Sequence, residues 1–275
     1  MNPEKGATIR LVVSDVDGTL VRKDKSLSPQ VVAAVKRLGE AGVPFTLISA
    51  RPVSGIMPLV APLGIDIPIA AFNGGILFRP DGSEIVAHPI DRAVVEGVFA
   101  LAEGRAVDRW VFAAGQWYAS SDKGVHVAHE RVASNQAPVV RGDFTDLYDS
   151  ADKLTFVSDD RPLLKELADR AAAAFGDRAT IGQSQTYYLD VTDTAANKGD
   201  GVAALARMLG VDMADVAVFG DMDNDVPMFD RAGFSVAMGQ APDAVKARAD
   251  AVSTSNEEDG VAHAIDAFIL PKVRP

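Results

Sequence analysis

The run IRLVVSDV, residues 9–16, is apolar and mostly β-branched at nearly every position. A strand of that kind has to be covered on both faces, as in a parallel sheet clothed by helices. It ends in two acids, Asp15 and Asp17, followed at once by Gly18 and Thr19. Carboxylates where a buried strand runs out need a partner or a task, because desolvating an unpaired charge is costly.

The neighbouring sequence supports the parallel sheet. In SPQVVAAVKRLGEAG, Ser28 can cap a helix, Pro29 suits its first turn, Val31, Val35 and Leu38 fall on one face, and Gly42 can end it. The strand VPFTLISA follows, and this βαβ spacing implies a right-handed crossover. IPIAAFNGGILF reads as a third strand entering a turn. The C-terminal part repeats the rhythm: KGDGVAALARMLG is a helix with Val202, Leu205 and Leu209 on one face, DVAVFGD and FSVAM are strands, and APDAVKARAD and EEDGVAHAIDAFI are helices. Between them lie short alternating stretches, DRWVFAAGQWYAS, DKLTFVSDD and ATIGQSQTYYLDV, with the helix RPLLKELADRAAAAFG. The expected class is α/β: a doubly wound, Rossmann-like parallel-sheet core of residues 1–84 and 189–275, interrupted by a smaller inserted α+β cap domain of residues 85–188.

Composition narrows the function. A formal net charge of −11 gives no attraction to phosphate backbones, so nucleic acid is not an expected partner. The absence of cysteine excludes disulfides and thiolate metal sites. MNPEKGATIR lacks a signal-peptide core and no apolar run reaches membrane-helix length, so the expectation is a cytoplasmic protein without membrane contact, a monomer or weak homodimer.

In doubly wound sheets the ligand crevice lies at the carboxyl ends of the strands. There the sequence puts Asp15 and Asp17, then Ser49 and Arg51, then Asp221, Asn224 and Asp225. Any one of these could simply cap a helix or shape a turn. Gathered together, the carboxylates repel one another unless a cation intervenes, and all-oxygen ligation favours Mg2+.

The residues DVDGTL, Ser49 in TLISAR, Lys198 in NKGDG, and GDMDND resemble, in order and strand context, the four motifs of the haloacid dehalogenase superfamily of phosphohydrolases. FNGG at residues 72–75, the position of the insert and the segment ADAVSTSNEEDGVA resemble its Cof-like branch with an α+β cap. The resemblance implies that Asp15 is the nucleophile forming an aspartyl-phosphate, and that Asp17 is the general acid and then the base. It implies Mg2+ held by Asp15, Asp17 through its backbone carbonyl, and Asp221, with Asp225 and Asn224 completing the metal shell through water or orienting Lys198. Lys198 offsets charge and Ser49 donates to a phosphoryl oxygen. Arg51 could meet substrate or pair with a core acid. Asn73 could be a turn residue, though the resemblance implies that it faces substrate. His88, His126, His129 and His263 show no zinc-site spacing, and Trp110, Trp117, Tyr118 and Tyr187 are expected to build the cap's sheet. The implied activity is Mg2+-dependent hydrolysis of small phosphorylated metabolites, sugar phosphates or phosphorylated cofactors. The alternatives are a phosphotransferase or phosphomutase on the same scaffold, and a non-catalytic phosphometabolite-binding protein.

Overall fold

The computed structural model describes residues 8–183 and 185–273. Residues 1–7, read above for signal-peptide character, and Ser184, within a stretch read as strand, lie outside the described residues. The chain opens with β1 (Leu11–Ser14), α1 (Pro29–Glu40), β2 (Phe45–Leu47), α2 (Val53–Leu63), β3 (Ile69–Ala71), β4 (Ile76–Phe78) and β5 (Glu84–Ala87). It continues through α3 (Arg92–Ala102), β6 (Asp108–Ala113), β7 (Gln116–Ala119), α4 (Val127–Ser134), β8 (Val139–Val140), β9 (Ala151–Val157), α5 (Arg161–Phe175), β10 (Ala179–Gly182) and β11 (Tyr188–Asp193). It closes with α6 (Lys198–Met208), β12 (Val216–Gly220), α7 (Val226–Arg231), β13 (Phe234–Ala237), α8 (Asp243–Lys246), β14 (Ala251–Val252) and α9 (Gly260–Ala264).

A five-stranded parallel sheet has the order β14-β13-β12-β1-β2. β1 is fully buried, as its continuous apolar run requires. From β1 the chain first builds outward through β2, and later returns to the opposite side as β12. The gap between the ends of β1 and β12 is therefore the switch point where a doubly wound sheet opens a crevice. The register pairs Ser14 with Phe219, which brings Asp15 level with the turn carrying Asp221.

The helix α1 forms as its sequence dictates. Ser28 Oγ accepts the Val31 N–H at 3.1 Å, Pro29 occupies the first turn, and Val31, Ala34, Val35 and Leu38 are buried. Gly42 turns the chain out at φ +80°. The last two helices are shorter than their periodicity suggests: α8 has four residues, and α9 passes into a π-helical turn at Ile265–Ile269.

The insert is a six-stranded sheet of order β10-β11-β9-β6-β7-β8. Alternation sorts its side chains. Val111, Leu154, Phe156, Leu189 and Val191 pack under α3 and α5, whereas Trp110, Phe112, Trp117, Val157 and Tyr188 turn the other way and share one core with Ile56 and Phe72. Trp110, Trp117 and Tyr118 lie in this sheet as expected; Tyr187 precedes β11 and stacks on His126 at 3.7 Å instead. By sheet membership, β5 pairs with β4 and β11 with β9, so the expected boundaries at 84/85 and 188/189 fall inside strands.

Asp152 is the extra residue where the β6–β9 register slips between Phe112 and Ala113. Burial, aided by Glu84, pushes its carboxyl up to about 7. A carboxyl whose folded value is raised loses stability as pH rises from its unfolded value through the folded one. Asp152→Asn should therefore stabilise the protein by about 2 kcal/mol at pH 8 and have no effect near pH 4. Urea unfolding at the two pH values tests this.

Candidate active site

Four loops converge at the carboxyl edge of the sheet. Asp15 follows β1 and its N–H donates to Phe219 O at 2.9 Å, which ties it to β12. Lys198 is the first residue of α6, which Asn197 caps through the Asp200 N–H at 2.9 Å. Lys198 is only 2% exposed, and its ammonium donates to Asp15 Oδ1 and to Asp225 Oδ1, each at 2.5 Å. Asp225 Oδ2 accepts the N–H groups of Asp221 at 2.7 Å and Met222 at 2.9 Å, which fixes the turn after β12. Of the two roles open to Asp225, this geometry favours orienting Lys198 and the Asp221 loop.

Asp15, Asp221 and Asp225 each offer an oxygen, and these atoms lie within 4.8 Å of one another. Three carboxylates facing the single Lys198 ammonium leave two negative charges uncompensated. Burial pushes the Asp15 carboxyl up, against the pull of Lys198 and with reinforcement from Asp225 and Asp221. Burial and Asp225 likewise push Asp221 up to about 6. Burial alone would discharge Lys198, but Asp15 and Asp225 more than offset it and hold the ammonium charged. A hard divalent cation fits this donor set: every offered ligand is oxygen, and its charge matches the deficit.

Thr19, read above within DVDGTL, and Gln240, which the sequence reading did not single out, complete the cluster. Thr19 Oγ1 donates to Asp221 Oδ1 at 3.0 Å. Gln240, just beyond β13, donates to Gly18 O at 2.6 Å and to Asp221 Oδ2 at 3.4 Å. The rule that ligands gather beyond strand ends, applied to β13 as well, points to Gln240. Gly18 has φ +82°, and a Cβ there would sit 2.3 Å from Asp221 Oδ2, so only glycine lets the two loops meet.

The metal role expected of Asp17 rests on its backbone carbonyl, and its side chain is occupied elsewhere. Its carboxylate turns away from the cluster and accepts from Arg51 Nε at 2.7 Å, Arg51 Nη2 at 2.8 Å and Lys25 Nζ at 2.6 Å. Burial would raise its pKa, but these hydrogen bonds and charges win and hold it well below the usual carboxylate range. Arg51 is itself anchored by Gly55 O at 2.9 Å, so it pairs with a core acid here. Lys25, at φ +67° in the loop after β1, was not anticipated.

Ser49 Oγ accepts the Arg51 N–H at 3.1 Å, leaving its own proton to donate. Asn73 sits at φ +58°, a conformation that asparagine tolerates, and its N–H donates to Ser49 O at 2.7 Å. Asn224 Nδ2 donates to Asn73 Oδ1 at 3.4 Å, bridging the loops after β3 and β12. Asn224 is exposed.

A family model of haloacid dehalogenase-like hydrolases matches residues 12–265. The chain belongs to that family. Its α+β insert places it in the Cof-like branch, and membership makes it a hydrolase. Among its relatives is the pyridoxal phosphate phosphatase YbhA of Escherichia coli, 26% identical over 273 residues, covering 96% of this chain and 100% of that one. A phosphoglycolate phosphatase of Methanothermobacter thermautotrophicus is 28% identical over 261 residues, covering 95% and 99% of the two chains. A crystal structure of a haloacid dehalogenase-like hydrolase from Bacteroides thetaiotaomicron superposes with a TM-score of 0.87 at 26% identity, over 95% of this chain and 100% of that one. Among the described residues no helix is long and apolar enough to cross a membrane.

Proposed function

We propose that this hydrolase is a Mg2+-dependent phosphatase of small phosphomonoesters that works through an aspartyl-phosphate on Asp15. The phosphatase class follows from the family and its relatives. The observation that carries the rest is the buried Asp15–Lys198–Asp225 chain set beside Asp221.

A carboxylate approaching a phosphate dianion meets repulsion of about 4 kcal/mol per charge pair at 4 Å with an effective dielectric near 20. Lys198 offsets part of this and fixes Asp15 by its Oδ1, which leaves Oδ2 to attack phosphorus. Asp15 and Asp221 would hold Mg2+, with Asp225 bracing the loop; when bound, the ion neutralises and orients phosphoryl oxygens. The Ser49 hydroxyl donates to another of those oxygens. Asp17, kept ionised by Arg51 and Lys25, is ready to take a proton from the water that cleaves the acyl phosphate. To protonate a leaving alkoxide it must first acquire a proton, which requires loosening that clamp. The cap sheet closing over the site limits wasteful hydrolysis by bulk water.

The test is release of phosphate from 4-nitrophenyl phosphate with Mg2+. Activity should vanish with chelator and return when Mg2+ is restored. Phosphate appearing on a second sugar hydroxyl rather than in water would instead make the protein a phosphomutase, and no turnover at all would leave a binding protein. Gly18→Ala should raise the Mg2+ concentration needed for half-maximal rate about ten-fold, because Asp221 must move to admit the methyl group. A Mg2+ titration of the variant measures this directly.

A further inference from the structure

The cap helix α4 is fastened to the core helix α2. Ser54 Oγ donates to Ser134 O and Gln136 Nε2 donates to Ser54 Oγ, both at 2.6 Å. Gly55 lies so close to the Ala133 carbonyl that a Cβ would stand 2.1 Å from its oxygen. On α4 Val127 and Ser134 are buried and Glu130, three and four positions from them, is half-buried like Ala133, while Ala128, His129, Arg131 and Val132 are exposed. Helical spacing therefore carries one carboxylate, Glu130, into the space between cap and core.

The charged groups around Glu130 are Lys153 and Asp190 of the cap sheet and Asp17 and Arg51 of the core. Both cations are already engaged. Lys153 pairs with Asp190 at 3.0 Å, and Arg51 with Asp17. The Tyr188 hydroxyl, on a residue only 4% exposed, is directed at the Glu130 carboxylate as its acceptor. Asp17, with its side chain 35% exposed, still borders solvent, so the space is reachable. Burial pushes the Glu130 carboxyl up to about 7, with Lys153 opposing and Asp190 and Asp17 reinforcing. A carboxylate without a counter-ion of its own, with the Tyr188 hydroxyl as its one neutral donor, thus sits between cap and core within electrostatic reach of Asp17 and Arg51.

We propose that Glu130, with Tyr188 beside it, selects the leaving group by charge: it favours alcohols bearing an ammonium or hydrogen-bond donors and disfavours those bearing a second negative charge. This rests on the phosphatase reading above. It makes amino- and polyhydroxy-alcohol phosphates the substrate class, and carboxylated or bisphosphorylated esters poor substrates.

The test compares kcat/KM at about pH 8, above the carboxyl's raised value, for three aryl phosphates carrying aminomethyl, hydroxymethyl or carboxylate groups in the para position. The wild-type order should be aminomethyl, hydroxymethyl, carboxylate. Glu130→Gln should shrink the ratio of the first to the last by about ten-fold or more, while Glu130→Asp keeps most of it. Intrinsic ester reactivity cancels in this comparison of ratios. An unchanged ratio in Glu130→Gln, or an equal fall for all three esters, would overturn the assignment. If wild type hydrolyses none of the three with Mg2+, the phosphatase reading itself fails and the assignment falls with it.

Discussion

Asp15→Asn is expected to lower kcat by about a thousand-fold or more while leaving the fold intact. The amide keeps the shape of the side chain and its place beside Lys198, and it removes one of three mutually repelling carboxylates, so stability should not fall. What is lost is the anion that attacks phosphorus. The comparison to make is kcat for an activated aryl phosphate alongside urea unfolding of the same preparation. Retention of a tenth of the activity would mean that another group, or water, performs the attack.

Lys198→Met should have a second large effect, this time on both activity and stability. Lys198 is the hub of a pair of ion pairs with Asp15 and Asp225, and Asp225 is 0% exposed. Removing one partner of a buried pair strands the other charge, at a cost of about 3–5 kcal/mol. Here two carboxylates are stranded at once. The double variant Lys198→Met with Asp15→Asn should recover part of the lost stability without recovering turnover, because the two changes share one interaction. Equal unfolding midpoints for the single and double variants would show that Lys198 is not the counter-charge of Asp15.

Much of this arrangement is legible in the sequence because it depends on local rules. A continuous β-branched run can only be a covered strand, and Ser28–Pro29 followed by an apolar stripe can only begin a helix, so β1 and α1 appear where expected. The carboxylate cluster is legible because strand ends converge by topology. Contacts between loops distant in sequence are not. Gln240 reaching Gly18 and Lys25 reaching Asp17 depend on loop conformations that no period encodes. The same holds for the orientation of Asp17: two positions from Asp15 in the chain, it faces Arg51 rather than Asp221, because a turn at a frayed strand end can aim neighbouring side chains in different directions. Tyr187 and Tyr188 look alike in sequence, yet one stacks on His126 and the other enters the shared core, a distinction set by where β11 begins.

The most direct test of the central claim is chemical quench of a single turnover with a phosphorus-labelled aryl phosphate, using Asp17→Asn to slow the second half of the reaction, followed by peptide mapping. Label on the peptide containing Asp15, labile to hydroxylamine and absent from Asp15→Asn, is the expected result. Turnover that proceeds with no label on the protein, or with label on any residue other than Asp15, would contradict it.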